Sequence, residues 1–219
     1  MLFRSTFDAV AGFSMEGKIS HHAGVSRSCH PFGESFKITR AEGNLIYEMD
    51  GHPAYDILLD SISNLPIENT DQIFQKVFLG VPMHHFQTDF STSPYLIRNI
   101  LGVNAKKGML ACATPIEEGE YVTFAVRDPG IARENFIKTL RDLSSDFSGT
   151  KPAFGIYFNC GSRGQALYGE SGEDTKLIRQ YFPDLPVIGF FSYGEIAPID
   201  HINHVHYHSG VLSLYAEQS

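Results

Sequence analysis

The sequence predicts an α+β fold with a mostly antiparallel sheet and packed helices. Short β-prone runs outnumber the helical ones, and most neighbouring runs are separated only by short turns. A strand meander is followed by helix, strand, helix, strand and strand. The chain lacks the regular alternation of strands and helices that a parallel βαβ array would require, which favours α+β.

The first third of the chain is the least regular. The polar, glycine-containing residues 20–30 (SHHAGVSRSCH) predict a loop, and two strands joined by a turn at 42–44 follow it. Pro53 suits the first turn of a helix that runs to about Ile62. Residues 67–94 fit neither a helix nor a strand pattern clearly.

Three β-prone runs in the middle of the chain predict an antiparallel meander. They are YLIRNILG (95–102), GMLACAT (108–114) and EYVTFAVRD (120–128), and only short segments separate them.

The amphipathic segment at about 131–145 predicts a helix, because its apolar residues recur at helical spacing. We expect this helix to bury Phe136, Ile137 and Leu140, and to turn Arg133, Glu134 and Lys138 toward water.

The last third predicts a strand at 152–160 (PAFGIYFNC), a helix at Glu173–Tyr181, a strand at 187–194 (VIGFFSYG) and a final strand from about Val205 to Ala216. The predicted core of these strands includes Phe154, Ile156, Phe158, Ile188 and Phe190.

Composition excludes several functional classes. The net charge of −8 argues against binding to nucleic acid or an anionic membrane by bulk electrostatics. No uncharged apolar run approaches the ~20 residues that span a bilayer. The three cysteines form no CxxC motif and are odd in number, which suits reduced thiols in the cytoplasm. Without a GxGxxG or Walker loop we expect no nucleotide, and we expect no other cofactor.

Polar residues follow two apolar strands of the last third, at 159–164 (NCGSRG) and 192–198 (SYGEIAP). A rigid sheet positions such loops, so strand ends of this kind are common places for a ligand pocket. Arg163 and Glu195 offer complementary charges for a zwitterion.

Five segments occur in an order and spacing that fit together. They are YLIRNILGV (95–103), EEGEYVTFAVRD (117–128), NCGSRGQALYG (159–169), GFFSYGEIAP (189–198) and YHSGVLSLY (207–215). Together they resemble the C-terminal half of the FIST domain family, and residues 35–56 resemble the segment where its N-terminal half gives way. We therefore expect residues 1–62 to be the end of the N-terminal FIST half and 63–219 to be a FIST C-terminal-like domain.

The resemblance implies a sensory domain of bacterial signal-transduction proteins, a domain also found in some eukaryotic F-box proteins. It implies a non-catalytic domain that binds a small ligand, with amino acids or related zwitterions as the proposed class, and that passes a signal to a protein partner. The implied ligand-binding residues are Asn159, Cys160, Arg163, Tyr193, Glu195 and His208.

Three of these residues have side chains whose chemistry fits such a ligand. Arg163 would take a carboxylate with its planar fork, Glu195 would accept from an ammonium group, and Tyr193 would stack or donate a hydrogen bond.

Three alternatives stay open on the sequence alone. Cys160 would be the nucleophile of an enzyme with His208 as its base. His204, His206 and His208 would lie on one face of a strand and bind a metal ion. The chain would instead be an interaction module that passes a signal to a partner without a ligand.

Overall fold

A computed structural model describes residues 12–83, 88–90, 93–147, 149–199 and 201–217. Their strands and helices confirm the predicted α+β class. Residues 1–11 of the predicted first domain lie outside these ranges. Of the helices within them, none combines the length and the apolar character that crossing a bilayer requires.

The elements lie along the chain as follows. The strands are β1 (Ile19–Arg27), β2 (Cys29–Glu42), β3 (Leu45–Met49), β4 (His52–Pro53), β5 (Val77–Pro82), β6 (Tyr95–Asn104), β7 (Met109–Cys112), β8 (Tyr121–Arg127), β9 (Phe154–Cys160), β10 (Val187–Ser192), β11 (Glu195–Ile199), β12 (Ile202–His206) and β13 (Ser209–Glu217). The helices are α1 (Ala54–Ile62), α2 (Thr70–Lys76), α3 (Pro129–Asp146), α4 (Gln165–Tyr168) and α5 (Glu173–Tyr181).

The larger sheet has the strand order β2-β8-β5-β6-β7-β3-β4. Its apolar face packs against α1, and the core between them includes the buried residues Ile38, Leu58, Leu79, Leu110 and Phe124. All neighbouring strands of this sheet are antiparallel.

The smaller sheet has the order β1-β13-β9-β10, in which β10 runs parallel to β9. Helices α3 and α5 pack on it around Tyr157, Leu177 and Leu212. Strands β11 and β12 form a separate hairpin. The division into 1–62 and 63–219 stays a prediction; the sheets divide the chain differently, because β1 pairs with the C-terminal strand β13.

Helix α3 has the predicted phase. The Asp128 side chain accepts from the Ile131 backbone N–H at 2.8 Å, which caps the helix. Phe136 and Leu140 are buried, whereas Glu134 is exposed. Beside these, Arg133 is half-buried, Lys138 is exposed and Ile137 is only partly buried.

The predicted loop at residues 20–30 is wrong, because these residues form β1 and the start of β2. Strand β1 pairs with β13 along its whole length, from Ile19 opposite Glu217 to Arg27 opposite Ser209. A partner so distant along the chain leaves no local sequence pattern. A polar strand is therefore stabilised by pairing that propensity alone does not reveal.

The predicted meander is also corrected. Strands β6 and β7 form a hairpin, but β8 pairs with β5 and β2 instead of β7. The inserted strand, β5, comes from the ambiguous segment 67–94 and is almost entirely buried. Buried on both faces, it shows none of the alternation that identifies a half-exposed strand.

The final strand is interrupted, and the core prediction fails at β10. Strands β12 and β13 replace the single strand predicted from Val205 to Ala216. Ile156 is buried, but Ile188 and Phe190 are 73% and 62% exposed. They are exposed because β10 is the edge strand of the smaller sheet and no other described element pairs with its outer side. Phe154 and Phe158 are only partly buried.

Candidate functional site

The two predicted loops meet at one edge of the smaller sheet. Because β9 and β10 are parallel, their carboxyl ends lie side by side, and this is where ligands bind in many α/β sheets. The Gly161 N–H donates to the Ser192 carbonyl at 2.8 Å, which joins the two loops directly. Strand β13 begins beside them, since Gly210 pairs with Asn159.

A cavity of about 260 Å³ opens between these strand ends. We call it the strand-end cavity, and its lining residues are Asn99, Cys160, Gly161, Ser162, Ser192, Tyr193, Tyr207 and His208. Tyr193 is 83% exposed and meets Tyr207 edge-to-face, with ring centroids 6.1 Å apart. The two rings therefore make an aromatic wall on the solvent side.

His208 is held rigidly between the two sheets. Its backbone has a φ of 55°, in the left-handed region, and its carbonyl accepts from the Ser28 N–H at 2.9 Å. The imidazole lies against the Phe78 ring with a centroid distance of 4.2 Å. Nδ1 is 2.9 Å from Ser162 Oγ, and Nε2 is 2.8 Å from Asn99 Oδ1.

The protonation of His208 follows from these contacts. Burial, helped by the nearby charge of Arg127, lowers the pKa of His208 to about 4, so the ring is neutral at pH 7. With the Asn99 amide oxygen assigned toward the ring, that oxygen only accepts, and Nε2 must carry the single hydrogen. Nδ1 therefore accepts from the Ser162 hydroxyl.

Cys160 lies next to this pair. Its Sγ is 3.2 Å from Ser162 Oγ, and the residue is buried. Cys29, Cys112 and Cys160 are all free and buried. Cys160 therefore reaches His208 through the Ser162 hydroxyl, which the sequence analysis did not name.

The Arg163 side chain is buried and forms its hydrogen bonds within the chain. It is 1% exposed, and its guanidinium donates to Asp174 twice, from Nε at 3.1 Å and from Nη2 at 2.8 Å. Nη1 also donates to Ser28 Oγ at 2.8 Å. The fork that was expected to take a ligand carboxylate thus binds a carboxylate of the chain itself.

Asp174 is the centre of a buried polar cluster. It also accepts from the Tyr157 hydroxyl at 2.9 Å, from Asn159 Nδ2 at 3.1 Å and from the Tyr168 hydroxyl at 2.9 Å. Burial raises the pKa of Asp174, but the charge of Arg163 and these hydrogen bonds outweigh it and hold the pKa below its usual value. We call these five residues the Arg163–Asp174 cluster. The Asn159 amide, which was expected to contact a ligand, thus also bonds within the chain.

Glu195 is also taken up by its own neighbours. It is 2% exposed and accepts from Ser192 Oγ at 2.7 Å and from Ser209 Oγ at 2.5 Å. Burial raises the pKa of this carboxyl, although both serines and the more distant Arg163 oppose the rise. The carboxylate that was expected to contact a ligand ammonium group thus accepts from two serine hydroxyls of the chain.

The three histidines of the metal alternative do not converge. Strand β12 ends at His206, whose Nε2–H donates to the Ala197 carbonyl at 3.1 Å. In a continuous strand, His204, His206 and His208 would lie on one face. The left-handed backbone at His208 breaks this alternation. Within the described ranges no group of three or more His, Cys, Asp or Glu residues could hold a metal ion.

A second cavity, of about 300 Å³, lies between α5 and β10. Asn159 and Asp174 line part of it, but their polar atoms already bond within the Arg163–Asp174 cluster. Its other lining residues include the polar Glu173, Thr175 and Arg179 and the apolar Ile178, Leu185 and Ile188. The strand-end cavity is the one that gathers hydroxyl, amide, thiol and imidazole groups.

Of the predicted ligand-binding residues, the structure brings Cys160, Tyr193 and His208 around one cavity. The sequence analysis missed the residues Asn99, Ser162, Ser192, Tyr207 and Asp174 as parts of the site. Ser162 lies in the NCGSRG motif and Asn99 lies in the YLIRNILGV segment, so the segments that carried the family resemblance contained both residues. Asn99 belongs to the other sheet, and no sequence pattern links it to His208.

The comparison with known protein families identifies the family of the chain. The family model described as the FIST C domain matches residues 54–198, and the FIST N domain model matches residues 3–52. The chain therefore belongs to the FIST family, as its sequence segments implied. FIST domains are associated with sensory roles in signal transduction.

The relatives are mycobacterial and longer than this chain. An uncharacterized protein of Mycobacterium tuberculosis strain H37Rv is 26% identical over 193 residues, which cover 88% of this chain and 50% of the relative. An uncharacterized protein of Mycobacterium bovis is 25% identical over 193 residues, with the same coverage, 88% and 50%. The chain thus spans about half the length of the curated relatives it matches.

Proposed function

We propose that this chain is a sensing domain whose strand-end cavity binds a small ligand. The observation that carries the proposal is the cavity itself, where segments far apart in sequence place hydrogen-bonding side chains around one space. Pockets of this kind, concave and lined by apolar surface with a few convergent polar groups, are the usual form of small-molecule sites.

The size and lining of the cavity define the ligand. About 260 Å³ is at the small end of ligand pockets, which suits a molecule about the size of an amino acid. Arg163 and Glu195 are bonded within the chain, as are the Asn99 oxygen and the Ser162 hydroxyl hydrogen, so the groups left for a ligand include the Asn99 amide nitrogen and the Tyr193 hydroxyl. We therefore propose an amino acid or related small molecule that is held through neutral hydrogen bonds and stacking on Tyr193.

We also propose a protein partner for this chain, and we keep two predictions from the sequence. A signalling protein partner would read the ligand state, and the exposed apolar side chains of β10 offer it a surface. A cytoplasmic location and the absence of a cofactor stay predictions.

A thermal-shift screen of the full chain against amino acids, their amides and small metabolites tests the proposal. A specific ligand stabilises the folded state by mass action, so the midpoint should rise with ligand concentration. Tyr193→Ala should abolish most of that rise, because the ring is exposed and serves the cavity rather than the core. Tyr47→Ala, on β3 of the larger sheet, is the matched control and should keep it.

Two outcomes would contradict the proposal. No compound of these classes raises the midpoint, which would favour an interaction module without a ligand. Alternatively, a compound raises it equally in wild type and Tyr193→Ala, which would place binding at another surface.

A further inference from the structure

We propose that Ser162, His208 and Asn99 form a nucleophilic triad that accepts an acyl group from small activated esters or thioesters. The triad lines the same strand-end cavity as the proposed ligand site, but its test does not depend on ligand binding. Two distances carry the inference: 2.9 Å from Ser162 Oγ to His208 Nδ1 and 2.8 Å from His208 Nε2 to Asn99 Oδ1. Ser162 Oγ also lies 3.2 Å from Cys160 Sγ.

The first two distances meet the structural signature of an activated nucleophile. A hydroxyl or thiol lies within hydrogen-bond reach of a base, and a third group orients the base. The ring orientation is fixed, because Asn99 Oδ1 accepts the Nε2 hydrogen and leaves the Nδ1 lone pair facing Ser162. A histidine oriented by an Asn oxygen is also the arrangement of Cys-His-Asn hydrolases.

The three members are held by separate parts of the fold. Asn99 lies within β6, opposite Phe78, and its carbonyl accepts from the Ala113 N–H at 2.9 Å. The Ser162 carbonyl accepts from Arg127 Nη1 at 3.3 Å. Such support from strands and buried contacts is what preorganises a reacting geometry.

The turn that carries Ser162 is closed at both sides. The Arg163 N–H donates to the Cys160 carbonyl at 2.9 Å, and the Gly161 N–H donates to Ser192. Arg163 is in turn anchored on Asp174, so the turn cannot shift without breaking a buried ion pair. Ser162 itself is only partly buried and lines the strand-end cavity, where a substrate can reach its hydroxyl.

The reaction balances with these groups alone. Ser162 Oγ attacks the carbonyl carbon of the ester or thioester, and its proton moves to His208 Nδ1. The bond from that carbon to the leaving oxygen or sulfur breaks, and the leaving group takes the proton from Nδ1. Water then attacks the Ser162 ester, passes a proton to Nδ1 and releases the acid, after which Oγ regains its proton.

Labelling with a fluorophosphonate probe tests the triad on the full chain. The serine oxygen forms a bond to phosphorus, the phosphorus–fluorine bond breaks, and fluoride leaves. We expect one label per chain, mapped to Ser162 by peptide mass spectrometry. Ser162→Ala should abolish labelling, whereas Ser145→Ala, at an exposed serine on α3, should label as wild type does.

His208 and Asn99 are tested by the rate of labelling. His208→Gln should slow it roughly a hundredfold or more, the usual contribution of a general base. Asn99→Leu should slow it also, and Asn99→Asp should restore it, because a carboxylate again accepts from Nε2. This rescue separates a positioning role from a merely structural one, and melting curves identify any variant that fails to fold.

Three results would overturn the triad. The wild-type protein is folded but takes up no label, the label maps to a residue other than Ser162, or His208→Gln and Asn99→Leu label at the wild-type rate. Acylation of Cys160 by p-nitrophenyl acetate in place of Ser162 would likewise assign the nucleophile to the thiol. None of these results bears on the ligand screen, whose readout is the thermal midpoint and its dependence on Tyr193.

Discussion

The guanidinium of Arg163 donates two hydrogen bonds, of 3.1 and 2.8 Å, to the carboxylate of Asp174. The Arg163 side chain is 0% exposed. This pair joins the loop after β9 to the first turn of α5, and Nη1 extends the connection to Ser28 between β1 and β2. Arg163, which the sequence suggested as a ligand contact, therefore holds the loop after β9 in place and does not itself line the strand-end cavity.

The first prediction concerns the stability of this pair. Arg163→Ala should lower the free energy of unfolding by about 3 to 5 kcal/mol, because it leaves the Asp174 charge buried and unpaired. Urea denaturation measures the change. Arg133→Ala removes a half-exposed pair with Glu173 and should cost only about 0 to 1 kcal/mol.

A double-mutant cycle with Asp174→Asn completes this test. The two buried groups contact each other, so the double variant should lose less than the sum of the single losses. Additive losses, or an Arg163→Ala loss as small as that of Arg133→Ala, would contradict the buried pair.

The second prediction is a loss of stability in weak acid. The pKa values of His206 and His208 are lowered to about 4 in the folded protein, against about 6.5 in the unfolded chain. The unfolded state binds more protons between these values, so the stabilisation is complete above about pH 6.5 and is lost as the pH falls toward 4. Each histidine contributes up to about 3 kcal/mol to this loss.

Urea unfolding between pH 7.5 and 5 measures the effect. Glu195, whose pKa is raised, acts in the opposite direction at the low end of this range, since its folded form holds a proton more tightly. His208→Gln should flatten the pH slope, whereas His52→Gln, at an exposed position on β4, should leave it. An unchanged slope in His208→Gln would show that this ring is not buried in its neutral form.

Local patterns predicted the elements that carry their own signal. The helical spacing around Phe136 and the turn between β2 and β3 were both legible in the sequence. Strand β1 was not, because its polar residues are stabilised by β13, at the other end of the chain. Burial of Ile188 was predicted from its apolarity, but apolarity does not say whether a strand is central or at an edge.

The site shows the same limit. The motif NCGSRG located the strand-end loop, and residue chemistry alone then assigned Arg163 to a ligand. Its true partner, Asp174, comes from a helix eleven positions along, and the acceptor for His208 comes from the other sheet. Such pairings depend on how the sheets pack, which no short-range pattern encodes.

The third prediction contrasts two phenylalanines. Phe190→Ala should change the free energy of unfolding by only about 0.5 kcal/mol, because the side chain is 62% exposed on the edge strand. Phe136→Ala should cost about 3 to 5 kcal/mol, since that ring is fully buried against Tyr157. Similar losses at both positions would mean that another surface covers β10 in solution.

The fourth prediction concerns the close approach of β10 to β9. A Cβ at Gly189 would collide with the backbone carbonyl of Tyr157, which a parallel partner strand cannot withdraw. Gly189→Ala should therefore lower the thermal midpoint clearly, by disrupting this strand pair. Gly102→Ala is the control, because nothing lies within 4 Å of a Cβ there. Equal midpoints for the two variants would refute the predicted contact.

The central claim, that the strand-end cavity is the ligand site, is tested most directly by nuclear magnetic resonance. A ligand from the thermal-shift screen is titrated into ¹⁵N-labelled protein, and the backbone amide signals are followed. We expect the amide signals of Gly161, Ser162, Tyr193 and His208 to shift together with a single dissociation constant. Shifts confined to the cleft between α5 and β10, around Ile178, would contradict it.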